Sequence, residues 1–283
     1  STGRGTMSEI QPATGFVGYF DILGYTQIML SNNIHKTAQF VSDTLMNIPR
    51  DMIDSLRSPY QAIRPLEVAP ESTERDDWSQ ILDRVSWIIF SDSILISLPF
   101  DPALPERDLV QNYLAFSIVC ASLMNRCFSA GFPLRGAISV GEFFIEDRCF
   151  AGRPIINAYY ATQQLEFAGC VLDESANSLI SEWRKHLVKK SERNLLEKLD
   201  QTTILYMVPL KENTDERHRT INWVVLDTPG FSAIAGDIRD VTTRAFLMHN
   251  KIAIPAVQGK INNTEMFIRH VLTNLHRDEA KEP

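Results

Sequence analysis

An aspartate interrupts each of two short apolar runs, Tyr19-Phe20-Asp21-Ile22-Leu23-Gly24-Tyr25 and Ile88-Ile89-Phe90-Ser91-Asp92-Ser93-Ile94. A lone carboxylate in a core strand is expensive to desolvate unless a cation or hydrogen-bonding group compensates it. Two such aspartates ending core-type strands invite a fold that brings both to one polar spot. Hard oxygen ligands of this kind suit a shared divalent metal.

The surrounding pattern supplies such a fold. Residues 16–23 read as a strand ended by Gly24, and residues 26–56 carry helical spacing with a break expected at Pro49. Residues 58–77 read as an irregular surface connection, followed by strands at 83–90 and 93–98 whose hairpin turn presents Asp92. A long apolar-faced helix is predicted over 105–129, then a strand pair at 134–140 and 142–145 turning at Gly141. A helix over 158–167, a short strand at Val171 and Leu172, and a helix over 176–199 come next. Strands at 203–210 and 220–226 flank a charged loop at 212–219. Two tail helices at 235–250 and 262–277 are separated by a break at Pro255. This order predicts an α+β fold with helices packed on a mixed or antiparallel sheet.

With 283 residues and 44% hydrophobic content, the chain has material for one sizeable core. One domain is expected over residues 7–283, with a C-terminal helical extension; residues 1–6 read as a cloning remnant ahead of Met7. A net charge of -7 and a pI near 5.4 argue against duplex nucleic acid as a partner and favour a small anionic ligand in a local basic pocket. Cys120, Cys127, Cys149 and Cys170 lack paired zinc spacing, so reduced thiols are expected. No apolar run reaches the roughly 18 residues of a membrane span, and no secretory leader is evident; a cytoplasmic protein without membrane contact is the expectation.

Taken in order, Phe20-Asp21-Ile22-Leu23-Gly24-Tyr25, Phe90-Ser91-Asp92-Ser93, Leu134-Arg135-Gly136-Ala137-Ile138-Ser139-Val140-Gly141-Glu142 and Gly152-Arg153-Pro154-Ile155-Ile156-Asn157-Ala158-Tyr159 resemble the class III nucleotidyl cyclase catalytic domain. The resemblance covers roughly residues 16–166, with the inner glycine of the third motif one place early at Gly136. It implies a ferredoxin-like core and a homodimer with active sites at the interface. It also implies two Mg2+ or Mn2+ ions on Asp21, Asp92 and the Ile22 carbonyl. Phosphate falls to the segment Ile22, Leu23, Gly24, Tyr25 and Thr26, with the amides from Leu23 to Thr26 at the start of a helix. Arg135 and Arg153 are the cations for the triphosphate.

Purine cyclases of that family place a base-reading lysine or glutamate about six residues before the second aspartate, where this chain has Ser86. The ribose and transition-state positions are also altered: one register gives Asn157 and Tyr160, the other Tyr160 and Gln164. This combination is similar to the bacterial Pycsar pyrimidine cyclases of antiphage defence. That likeness implies UTP, or second CTP, as substrate, cyclic UMP or cyclic CMP as product, and a separate effector that the product activates. Ser86, Asn157 and Tyr160 are then the contacts to base and ribose. The competing readings are a purine cyclase with an atypical base pocket and a non-catalytic nucleotide-binding module that signals through dimer contacts. At single residues the plainer roles stay open: Asp21 and Asp92 as turn caps, Arg135 as the partner of a core carboxylate such as Asp21, and Asn157 as a helix N-cap.

Overall fold

The computed structural model describes residues 12–57, 75–146, 149–211, 215–225 and 237–279. Residues 1–6 and most of the expected surface connection, residues 58–74, lie outside them. The strand carrying the first aspartate is β1 (Ala13–Ile22), rich in the aromatic and branched residues that suit a strand buried on both faces. It pairs antiparallel with β3 (Ser93–Pro99) on one side and β4 (Leu134–Glu146) on the other. β2 (Ser86–Phe90) closes the hairpin with β3, and Ser91 in its two-residue turn takes a left-handed φ of 56°.

A helical stretch lies between β1 and β2, and α5 (Glu106–Ser129) lies between β3 and β4. The spatial order β2-β3-β1-β4 with these two crossovers is the ferredoxin-like arrangement expected above. β6 (Cys170–Leu172) joins parallel to β4, and β8 (Asp215–Ile221) and β7 (Thr203–Pro209) extend the sheet beyond it. β5 (Cys149–Gly152) forms a hairpin with the far end of β4. The sheet is mixed and helix-covered, so the fold is α+β.

Several boundaries differ from the sequence expectation, and three of the differences involve proline. The stretch after β1 is three helices, α1 (Tyr25–Ser31), α2 (Ile34–Phe40) and α3 (Ile48–Arg57), with a π-helical turn at Val41–Leu45. The break comes at Asn32-Asn33, where the Asn33 side chain caps α2 by accepting from Lys36 N at 2.9 Å. Pro49 does not break a helix; it lies in the first turn of α3, where its missing N–H would have had no intrahelical partner. Pro255 likewise opens α10 (Pro255–Glu279), which begins seven residues before the predicted start, after α9 (Ile238–Leu247). Pro154 opens α6 (Arg153–Gln164), so Asn157 is an interior helical residue and not the N-cap.

Residues 75–83 are helix α4 (Arg75–Asp83), which delays the expected strand at residue 83 to Ser86. Gly141 makes no turn: the ladder from Ala13↔Phe143 to Ile22↔Leu134 passes through it, and it pairs with Gly15. The predicted helix over 176–199 is divided into α7 (Glu174–Lys190) and α8 (Arg193–Thr202) by Ser191 at φ 59°. Of the charged segment expected to be a loop, residues 212–214 lie outside the described residues and residues 215–219 belong to β8, whose first three residues are exposed and keep their charges in water.

The two faces of the sheet are unequal. On one, Phe16 and Phe20 are fully buried against α5, with Phe16 stacked on Phe116 at 5.6 Å and edge-on to Trp183 of α7. On the other, Val17, Leu95, Phe143 and Ile155 make a small cluster under α6. Gly136, opposite Phe20 in the ladder, leaves room for that ring, since a Cβ there would stand 2.4 Å from Phe20 Cδ1. Gly136→Ala is therefore expected to cost about 1–3 kcal/mol of unfolding free energy through overpacking, read as a lowered urea midpoint at unchanged slope.

Candidate active site

Asp21 lies one residue from the end of β1, flanked in register by Ser93 of β3 and Arg135 of β4. The hairpin turn is tied to the same strand end, because Ile22 N donates to Asp92 O at 2.8 Å. Leu23 N donates to Pro133 O at 2.9 Å, and the chain then turns at Gly24 into α1. Gly24 has φ 81° and ψ 14°, a left-handed conformation that glycine adopts without steric cost. Thus Asp21, Asp92 and residues 22–26 line one cleft of about 350 Å³, together with Arg135. The Leu23 amide is spent on Pro133, which corrects the expectation that it cradles phosphate. The amides of Tyr25 and Thr26 precede the first intrahelical bonds, made by Gln27 and Ile28 to Gly24 O.

Asp21 and Arg135 form a close pair. Arg135 Nε and Nη2 reach Asp21 Oδ2 at 2.7 and 2.6 Å, and both side chains are 12% exposed. Arg135 Nη1 donates to Leu165 O at 3.2 Å, and Nη2 donates to Gln163 Oε1 at 3.1 Å as well. Burial pushes the Asp21 carboxyl above the usual carboxylate range, Arg135 opposes that shift, and the Asp92 charge adds to it. Burial raises the Tyr19 and Tyr25 phenols as well, with the Asp92 charge adding to each. Tyr19 lies beside the site, its hydroxyl 2.5 Å from Ser93 Oγ.

Three charged residues that the sequence reading did not single out complete the cleft: Glu166, Lys211 and Lys260. Lys260 Nζ is 2.7 Å from Glu166 Oε2, and the Lys211 charge acts on Asp21. Their one sequence signal is position: Glu166 follows α6, Lys211 follows β7, and Lys260 falls just ahead of the tail helix predicted from residue 262.

Arg153, Ser86, Asn157 and Tyr160 are not among the residues lining this cleft. Arg153 is exposed in the first turn of α6, and Tyr160 is 63% exposed farther along it. Ser86 is exposed on the edge strand β2, and the register places it on the Asp21 face through Ser97 and Val17. All four cysteines are free, with Cys149 exposed and the other three buried. Among the described residues no three His, Cys, Asp or Glu side chains gather as a metal cage, and no helix is long and apolar enough to cross a membrane. A pair of carboxylates fits magnesium, which commonly takes one or two carboxylates and completes its shell with water and substrate phosphates.

No family model matches the chain, and no curated protein matches it. Among solved structures, the adenylyl cyclase CyaB from P. aeruginosa is similar at 12% identity and a TM-score of 0.39, over 76% of this chain and 97% of that one. The guanylyl cyclase Cya2 matches at 10% identity and 0.38, over 75% and 92%. The catalytic core of a rhodopsin-guanylyl cyclase with converted specificity, in complex with ATPalphaS, matches at 11% and 0.39, over 76% and 98%. Likeness at this level decides neither substrate nor site.

Two measurements test this geometry. Arg135→Met leaves Asp21 buried without its partner and is expected to cost about 3 kcal/mol of stability, whereas Asp21→Asn combined with Arg135→Met recovers part of that loss in urea unfolding. The second concerns Lys251, whose stem packs on the Gly24 turn, so that a Cβ at Gly24 would stand 3.0 Å from its Cδ. Lys251 is buried, donates to Gly131 O at 2.7 Å, and is lowered by burial from its usual 10.5 to about 7. Between those values the unfolded chain holds a proton that the folded chain has lost, so stability rises with pH across that window. Below it the lysine is charged in both states and contributes no slope. Lys251→Met is expected to remove the rise, measured as unfolding free energy from pH 7 to 9.

Proposed function

We propose that this chain is a nucleotidyl cyclase that converts a pyrimidine nucleoside triphosphate, UTP in preference to CTP, into its 3′,5′-cyclic monophosphate and pyrophosphate. The observation that carries the reading is the convergence of Asp21, near the end of β1, and Asp92, in the β2–β3 turn, on one cleft walled by the Gly24 turn and by cationic side chains. In the reaction the ribose 3′-hydroxyl gives its proton to solvent, its oxygen bonds to the α-phosphorus, the bond from that phosphorus to the β-phosphate bridging oxygen breaks, and pyrophosphate leaves. Asp21, Asp92 and the Ile22 carbonyl would hold Mg2+ or Mn2+, which when bound supplies charge neutralisation and a more acidic ribose hydroxyl.

The base preference follows from Ser86, a small neutral residue where purine cyclases of the resembled family carry a charged base reader. Ser86, Asn157 and Tyr160 lie off the cleft of their own chain. A homodimer would carry them, with Arg153, to the cleft of a second copy. Phe90, Ile156 and Tyr160 are 73, 54 and 63% exposed, an apolar surface of the kind a second copy would cover. The cyclic product would act on a separate effector, as an antiphage second messenger.

One observation favours a second reading, a non-catalytic nucleotide-binding module: Asp21 already has a counterion in Arg135. Turnover separates the two. Incubation with each of the four nucleoside triphosphates and manganese is expected to give cyclic UMP, with cyclic CMP second. Asp92→Asn is expected to lower kcat at least a thousandfold while the protein stays folded by circular dichroism, on the order of what loss of a metal-binding group costs. Preferred turnover of ATP or GTP would overturn the base assignment, and absence of any cyclic product would favour the binding module.

A further inference from the structure

We propose that Lys260, from the C-terminal helix α10, grips the anionic chain of the ligand in the cleft, and that Glu166 holds its ammonium in place until that ligand arrives. This deepens the triphosphate reading above and rests on it for the identity of the ligand. Lys260 and Glu166 both line the cleft that holds Asp21 and Asp92, with side chains 19% and 26% exposed. Their 2.7 Å contact takes one of the ammonium's three donors.

The helix that carries Lys260 is fixed to the cleft wall. Asn263 Nδ2 donates to Glu166 O at 2.9 Å, and Ala168 N donates to Thr264 Oγ1 at 2.8 Å, with Thr264 fully buried. Glu166 N in turn donates to Pro209 O at 3.0 Å. Contacts by Asn263 and Thr264, one turn along the helix, thus aim this lysine at the cleft from outside the ferredoxin-like core. Arg135 is committed to Asp21 and Arg153 lies off the cleft, so neither sequence-predicted arginine is positioned as Lys260 is. A triphosphate carries several negative charges against one on Glu166, so the ammonium exchanges a single carboxylate for a more strongly charged acceptor.

Calorimetric binding of inorganic tripolyphosphate with Mg2+ to the full chain tests this, beside KM for the preferred nucleotide. Lys260→Met is expected to weaken binding about tenfold and raise KM similarly, as loss of one charge-assisted bond does. Lys260→Arg restores most of that affinity, and Glu166→Gln, which leaves the lysine without its competitor, tightens binding several-fold. If Lys260→Met fails to fold, the last two variants carry the test. Unchanged affinity in Lys260→Met and Glu166→Gln overturns the inference; turnover by the wild type in that case leaves the cyclase reading standing. Tripolyphosphate binding that depends on Lys260, without any cyclic product from the four nucleotides, overturns the cyclase reading and leaves the polyanion grip in place.

Discussion

A carboxylate at the end of the central strand, held by a guanidinium from the strand beside it, is the interaction on which the rest of the site depends. Asp21 and Arg135 face each other because β1 and β4 pair in one register, and a slip of one residue in β4 would turn Arg135 to the face opposite Asp21. The same register fixes Gly136 under Phe20, so the site and the core are held by adjacent rungs of one ladder. A desolvated carboxylate is tolerable here because the cation is close and is itself held by Gln163 and Leu165 O.

The sheet divides its labour between its faces. The α5 face buries aromatic rings in contact with one another and supplies the bulk of the core. The α6 face has a four-residue cluster and spends its remaining surface on the polar cleft and on exposed aromatics. Packing of that kind leaves a strand end accessible to a ligand while the strand itself stays rigid. The C-terminal segment then ties the cleft from behind: Lys251 packs on the Gly24 turn, and α10 fastens the segment after α6.

The strand-turn-helix opening, the hairpin at Ser91-Asp92, the long helix α5 and the short strand β6 were legible in the sequence, because periodicity and turn chemistry are local signals. Pro49 and Pro255 misled. Proline ends a helix when it removes a needed N–H, yet it opens one when it falls in the first turn, and sequence alone weighs those outcomes nearly equally. Gly141 read as a turn because its partner Gly15, far away in the chain, was invisible. The charged residues of β8 read as a loop because solvated strand ends carry no apolar alternation.

The sequence by itself determined that one aspartate closes a core-type strand, that a second sits in a hairpin turn, and that a glycine-led turn follows the first, since desolvation and backbone sterics act on each residue where it stands. Only the tertiary structure decided which cations reach them. It gave Arg135 to Asp21, left Arg153, Ser86, Asn157 and Tyr160 off the cleft, and brought in Glu166, Lys211 and Lys260. Charges act through space, and the distance from α10 to β1 is set by packing that no stretch of sequence displays.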